Sequence, residues 1–240
     1  MDVLKYRLSQ HAFLCIARRY CVVLDVTHDR YIAIKTEAME SLGPWLDGWI
    51  GTSTTTNSEQ TSVDSTICEL ASSLCRREIL TRSSESGKPV QPQIIPPATQ
   101  SASAILHRIS SNDLMRHGFN FLRAVVHTRR LFKTSSLEII VRELADSAER
   151  GLNTAKSDWE HEGYLVSIFK RFRPLYNRPF VCLFDCICLR NFLALYGFFP
   201  SIVFAVIPEP FQAHCWLQED RLVLNDSLEH VGAYTPIMRI

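Results

Sequence analysis

Of the eight cysteines in the chain, Cys182 is the one whose surroundings suit chemistry. A cysteine attacks as its thiolate, and a sulfur at a helix N-terminus beside an imidazole reaches that form most readily. Residues 181–196 (VCLFDCICLRNFLALY) are apolar nearly all round and stop at Gly197, so they read as a buried central helix. Cys182 follows Pro179 into its opening turn, whereas Cys186 and Cys188 lie one to two turns inside. The matching imidazole is His214, in a stretch that alternates Gln212, His214 and Trp216 against Ala213, Cys215 and Leu217, as a strand does. Asp226 follows the next strand. If the two strands form a hairpin around Glu219-Asp220, its carboxylate comes within reach of His214 and fixes the imidazole tautomer.

Each residue taken singly has a plainer reading. Free cysteine is among the most buried residue types, a strand histidine is usually structural, and Asn225-Asp226-Ser227 favours a turn. The order Cys, His, Asp, with the cysteine opening a helix and the other two on a hairpin, is that of papain-like and transglutaminase-like thiol enzymes. Cys182, Cys186, Cys188, His214 and Cys215 are also zinc-type ligands. Inside a helix, however, residue 188 points away from the face shared by 182 and 186, so neither a metal nor another cofactor is expected.

The elements that must hold these residues fit a chain of 240 residues, which suggests one or two domains at about 150 residues each. Hydrophobic residues make up 46% and charged residues 21%, which excludes wholesale disorder. With 26 Lys+Arg against 25 Asp+Glu there is no global field to draw nucleic acid. No apolar run reaches the roughly 20 residues that span a bilayer, and the N-terminus lacks a signal-type apolar segment, so a cytoplasmic protein with reduced thiols is expected.

Residues 50–118 contain no aromatic side chain, which points to two separate cores. The boundaries read as 1–82 for a first module, 83–103 for a linker rich in Ser and Pro, and 104–240 for a second domain. In the first module, residues 11–18, 21–26 and 31–35 read as three strands. Thr36 is placed to cap a helix over 37–50 that Gly43-Pro44 threatens to kink, and a second helix is expected over 64–80. In the second domain, helices are expected over 113–132, from a capping box at Ser135 and Glu138, and over 164–176, where Lys170, Arg171 and Arg173 read as a solvated face and Arg178-Pro179 as the stop. Strands over 202–206, 211–218 and 222–225 follow the central helix, giving an α+β domain with helices first and sheet second. Residues 105–133 are locally basic, which suits a solvated helix face or a docking surface.

Residues 182–226 resemble the leader peptidases of lasso peptide biosynthesis, the B proteins of the microcin maturation type. The resemblance rests on Cys182-Leu183 opening a helix, Gly197, the apolar strand 201–206, Pro210-Phe211, His214-Cys215-Trp216 and Leu224-Asn225-Asp226. Cys186 stands where many members carry Ser, and Ala205-Val206-Ile207 replaces a common Ile-Gly-Val followed by Arg. The resemblance implies a papain/transglutaminase-like domain in which Cys182, His214 and Asp226 form a triad that cuts the leader from a ribosomally made precursor, after which a separate ATP-using cyclase closes the ring. Residues 21–34 (CVVLDVTHDRYIAI) are more loosely similar to a hairpin of the PqqD-like leader-recognition element, a winged helix-turn-helix-like module of three strands plus helices. That similarity implies that a leader adds as a strand along Tyr31, Ile32, Ala33 and Ile34, facing the helix that carries Leu74. Two other functions remain open: a thiol acyltransferase of transglutaminase type, in which an amine intercepts the acyl-thioester, and a non-catalytic chaperone that carries the precursor to the cyclase.

Overall fold

Two compact units make up the chain, one of Met1–Ile94 with Pro208–Phe211 and one of Ile95–Ile207 with Gln212–Ile240. The computed structural model describes residues 5–49, 65–83, 85–102, 108–151, 158–176 and 181–240.

In the first unit a short strand β1 (Arg7–Ser9) precedes a three-stranded antiparallel meander of β2 (Ala12–Ala17), β3 (Tyr20–Asp25) and β4 (Arg30–Lys35). The three strands fall where β-branched runs placed them. The register runs from Ala12 opposite Asp25 to Ala17 opposite Tyr20, then from Tyr20 opposite Lys35 to Asp25 opposite Arg30. Arg18 and Asp29 turn the chain at the two corners by taking left-handed backbone.

Helix α1 (Thr36–Leu42) is shorter than the expected 37–50, because Gly43-Pro44 passes into a 3-10 turn over Gly43–Trp45. Thr36 is its first residue rather than its cap, and the hydroxyl makes no capping bond. Helix α2 (Ser65–Arg76) ends before Leu80, since Glu78 takes a left-handed conformation and the chain enters β5 (Leu80–Thr81). Asp64, the expected start, lies outside the described residues. Leu14, Val23, Ile34, Met39, Leu42 and Leu74 share the core that α1 and α2 close over the meander.

Residues 83–103 are more than a linker. Within them β6 (Gly87–Lys88) pairs with β1 in the first unit, and β7 (Gln100–Ser101) runs parallel to a strand of the second. Prolines bar a long strand but leave room for two-residue pairings between them.

The second unit is mixed α+β, with most helices ahead of the sheet as expected. Helix α3 (Ser111–Thr134) opens with a capping box between Ser110 and Asp113. The cap of α4 (Leu137–Gly151) comes from Ser136, whose hydroxyl accepts from the Ile139 N–H, and not from Ser135, which instead ends α3. Helix α5 (Trp159–Phe172) starts at an Asp158 cap and runs into a 3-10 turn at Arg173–Leu175. Arg178 and Pro179 lie outside the described residues. Helix α6 (Cys182–Ala194) is the buried central helix. Its one fully buried cation, Arg190, is satisfied by the Pro200 and Leu144 carbonyls and the Ser147 hydroxyl, which ties α4 and the next strand to α6.

The sheet then forms from β8 (Ser201–Pro208), β9 (Phe211–Glu219), β10 (Leu222–Val223) and β11 (Thr235–Arg239), in the order β11-β8-β9-β10-β7. A short helix α7 (Leu228–Gly232) precedes β11, and the sequence reading had assigned neither. Among the described residues no helix is long and apolar enough to cross a membrane.

Candidate active site

The start of α6 and the β9–β10 hairpin bring the three sequence-derived residues together. Val181 is the extended residue before the helix, so Cys182 is its first residue and its N–H is free of intrahelical bonding. Asp220 takes the left-handed turn that reverses β9 into β10, and three residues past β10 Asp226 returns to His214. His214 Nε2 donates to Asp226 Oδ2 at 2.6 Å. This leaves Nδ1 for the sulfur of Cys182, with which the ring is hydrogen-bonded. The three groups open on a cleft of about 650 Å³, lined on its apolar side by Phe169, Pro174 and Leu189.

The electrostatics favour a thiolate paired with an imidazolium. The Cys215 thiol, hydrogen-bonded to Cys182, is the largest influence on its pKa; burial opposes it, and the bond and charge of His214 reinforce it, bringing Cys182 down to about 4. Cys215 itself is held well above its ordinary value, first by that bond and then by its contact with Cys186, so it remains the donor. Burial works against the charged form of His214, yet its hydrogen bonds to Asp226 and Cys182 outweigh burial and raise it to about 9. Asp226 is likewise raised by burial, but bonds from His214, His230 and the Ser227 N–H bring it down to about 2. Between about pH 4 and about 9 the Cys182 sulfur and the His214 ring are therefore both charged.

Several neighbours of these three residues are not evident from the sequence. His230 on α7 approaches Asp226 Oδ2 at 2.9 Å and Oδ1 at 3.1 Å, so the carboxylate serves two imidazoles. Helical spacing from Asp226 to His230 was the available signal, but it requires a helix nobody would assign to five residues. Asn225, read as a turn residue, accepts from the Leu217 N–H at 2.8 Å and donates to Cys186 Sγ at 3.3 Å, which locks β9 against α6. Arg173 does not lie on a solvated face. It grips Asp185 at 2.8 and 3.0 Å, stacks over Tyr176 and lines the cleft with Lys170, whose pKa burial lowers. Lys170 and Arg171 keep the exposure expected of them.

Cys186 and Cys188 are buried inside α6. Burial raises Cys188 to about 12, and Cys186 sits 3.8 Å from Cys215, sulfur to sulfur. Donor atoms of His214, Asp226 and His230 lie within 4.8 Å of one another, as do those of His11, Asp25 and His28, and these are the groups that could hold a metal among the described residues. In each, imidazole nitrogens are already hydrogen-bonded to the carboxylate.

The residues expected to bind a leader are only partly gathered. Ile32, Ile34 and Leu74 share the first unit's core, with Ile34 and Leu74 buried, whereas Ala33 is exposed and Tyr31 half-buried on the other side of β4. The strand is an edge: it pairs with β3 and with no further strand among the described residues.

With a thiolate at a helix start, its imidazole and its carboxylate in one line, the site can form and resolve an acyl-thioester. Residues 122–239 match the Transglutaminase-like superfamily. This transglutaminase-like domain runs from the middle of α3 to the end of β11 and contains all three residues of the line. Domains of this type are typically Cys-His-Asp hydrolases or transferases, and the match is consistent with a cysteine protease or an acyltransferase-like enzyme. No curated protein and no solved structure matches the chain.

Proposed function

We propose that this chain is a cysteine peptidase that removes the leader from a ribosomally made precursor peptide during lasso peptide maturation. The observation that carries the reading is the Cys182–His214–Asp226 line at the mouth of an open cleft. The motif resemblance over residues 182–226 supplies the substrate class. In this scheme the first unit is the winged helix-turn-helix-like recognition element. The leader adds as a strand to the open edge of β4, where main-chain bonds at Tyr31, Ile32, Ala33 and Ile34 hold it while Leu74 backs the strand from the core. Tethering then concentrates the scissile bond near the thiol.

The Cys182 sulfur attacks the scissile carbonyl, and the Cys182 N–H at the start of α6 is placed to bind the developing oxyanion. The C–N bond breaks as the His214 imidazolium gives its proton to the leaving amine, and His214 then takes a proton from the water that hydrolyses the thioester. Asp226 stays ionised throughout and keeps the ring oriented. The site residues need no cofactor for these steps. The freed core passes to an ATP-using cyclase, and the reactions belong to the cytoplasm.

The superfamily match supports acyl transfer to an amine equally well, since the same thioester serves both. Mass spectrometry of a precursor encoded beside this chain separates the readings. Free leader with a new carboxylate supports the peptidase, and leader joined to an amine supports the transferase. Processing that survives Cys182→Ala would reduce the chain to a precursor-binding chaperone.

A further inference from the structure

Helix α3 is apolar on two sides. Its inner face buries Phe121, Ala124, Val125 and Leu131. On the opposite face Met115, Phe119, Leu122 and Val126 recur at intervals of four, three and four residues, and remain 75%, 71%, 57% and 39% exposed. That spacing is the a/d seam of a helix that packs on another helix, and a solvated surface helix has no need of it. The seam forms one wall of a groove of about 590 Å³ whose other wall is Asn191, Ala194 and Leu195 at the end of α6. Along one flank run Arg116, Arg123 and Arg130, seven residues apart and all exposed. Among the described residues none of the three pairs with a carboxylate, and Arg123 lies over the Phe119 ring at 5.9 Å. An acidic residue beside His127, Glu143 on α4, pairs with it at 3.8 Å.

We propose that this groove docks an amphipathic helix of a partner protein, one that carries Glu or Asp along the flank of its own apolar seam. A heptad seam selects a helix, and the flanking positions select its charge. A second copy of this chain fits poorly, because antiparallel pairing sets arginine flank against arginine flank. A groove walled by α6 also fits a rod better than a flat bilayer, and Phe and Leu along the seam offer nothing to a phosphate backbone. The proposal is independent of the reaction at Cys182.

The test uses the full chain and two fluorescent helical peptides of about four heptads, alike in their Leu seam and carrying either Glu or Lys on the flank. The Glu peptide should bind saturably and the Lys peptide should not. Arg123→Glu with Arg130→Glu should weaken the Glu peptide about tenfold or more, or about 1.4 kcal/mol, and admit the Lys peptide. Phe119→Ala should weaken the Glu peptide without that reversal. Circular dichroism and cleavage activity report that the variants remain folded. Four outcomes would overturn the proposal: neither peptide binds, both bind alike, vesicles with anionic lipid bind in preference to the peptide, or sedimentation shows wild type dimerising through this face.

Discussion

Among the described residues the same grouping of two imidazoles about a carboxylate occurs twice, and only one copy stands beside a thiol with a lowered pKa. In the first unit Asp25 meets His28 Nδ1 at 2.8 Å and His11 Nε2 at 3.7 Å; in the second Asp226 meets His214 at 2.6 Å and His230 at 2.9 Å. The difference lies in what stands beyond the carboxylate. Asp25 is fully buried and also neutralised by Arg30 at 2.9 Å, which makes it a fastener at the β3–β4 corner. The cysteines on its own sheet, Cys15 and Cys21, are pushed up to about 12 by burial. Asp226 instead bonds two imidazoles, and one of them, His214, in turn faces a thiol held down to about 4. An imidazole paired with a carboxylate is common fold hardware; a helix start that presents sulfur to it makes a site.

Removing one group at a time sharpens this contrast. Cys182→Ala should cost about 10⁴-fold or more in turnover of a processed precursor, with leader affinity unchanged; Cys21→Ala, measured in the same assay, should leave turnover intact. Asp226→Asn should lower kcat by about 10²–10⁴-fold at unchanged KM. Asp25→Asn should instead leave kcat alone and lower stability by about 1–3 kcal/mol, read by denaturant melts, because it strips a buried acceptor from Arg30 and His28. If the two substitutions have the same kinetic consequence, the distinction between fastener and orienter is wrong. His230→Gln should lower kcat about tenfold, or about 1.4 kcal/mol, by loosening Asp226, whereas His28→Gln should leave it unchanged. The smallest effect is on stability against pH. His214 is raised from its ordinary 6.5 to about 9, so its contribution is full below about 6.5 and fades as pH rises through about 9. Melting temperatures between pH 7 and 10 should show this loss in wild type and not in His214→Gln.

The site was more legible in the sequence than the ground around it. Cys182, His214 and Asp226 could be placed because a helix N-terminus and a two-strand hairpin are local structures, each announced by its own residues: the apolar run to Gly197, the alternation through Trp216 and the Glu219-Asp220 turn. The strands 12–17, 20–25 and 30–35 were legible for the same reason. Contacts over long range were not. Nothing near Arg173 in sequence announces Asp185, and the link depends on how α5 returns to α6. Asn225 looks like any turn residue until Cys186 and Leu217 are known to lie on either side of it. The pairings of β6 and β7 were hidden because four prolines in 83–103 suggested free chain, whereas a two-residue strand needs only its few bonding groups exposed.

The most direct measurement is the ultraviolet absorbance of thiolate across pH, taken as wild type minus Cys182→Ala. A thiol held by Cys215 and His214 should show one thiolate appearing with a midpoint near pH 4 and persisting to neutrality, and His214→Ala should move that midpoint upward. A difference spectrum that stays flat until about pH 8.5, the ordinary range for a free cysteine, would contradict the thiolate–imidazolium pair and with it the assignment of Cys182 as the nucleophile.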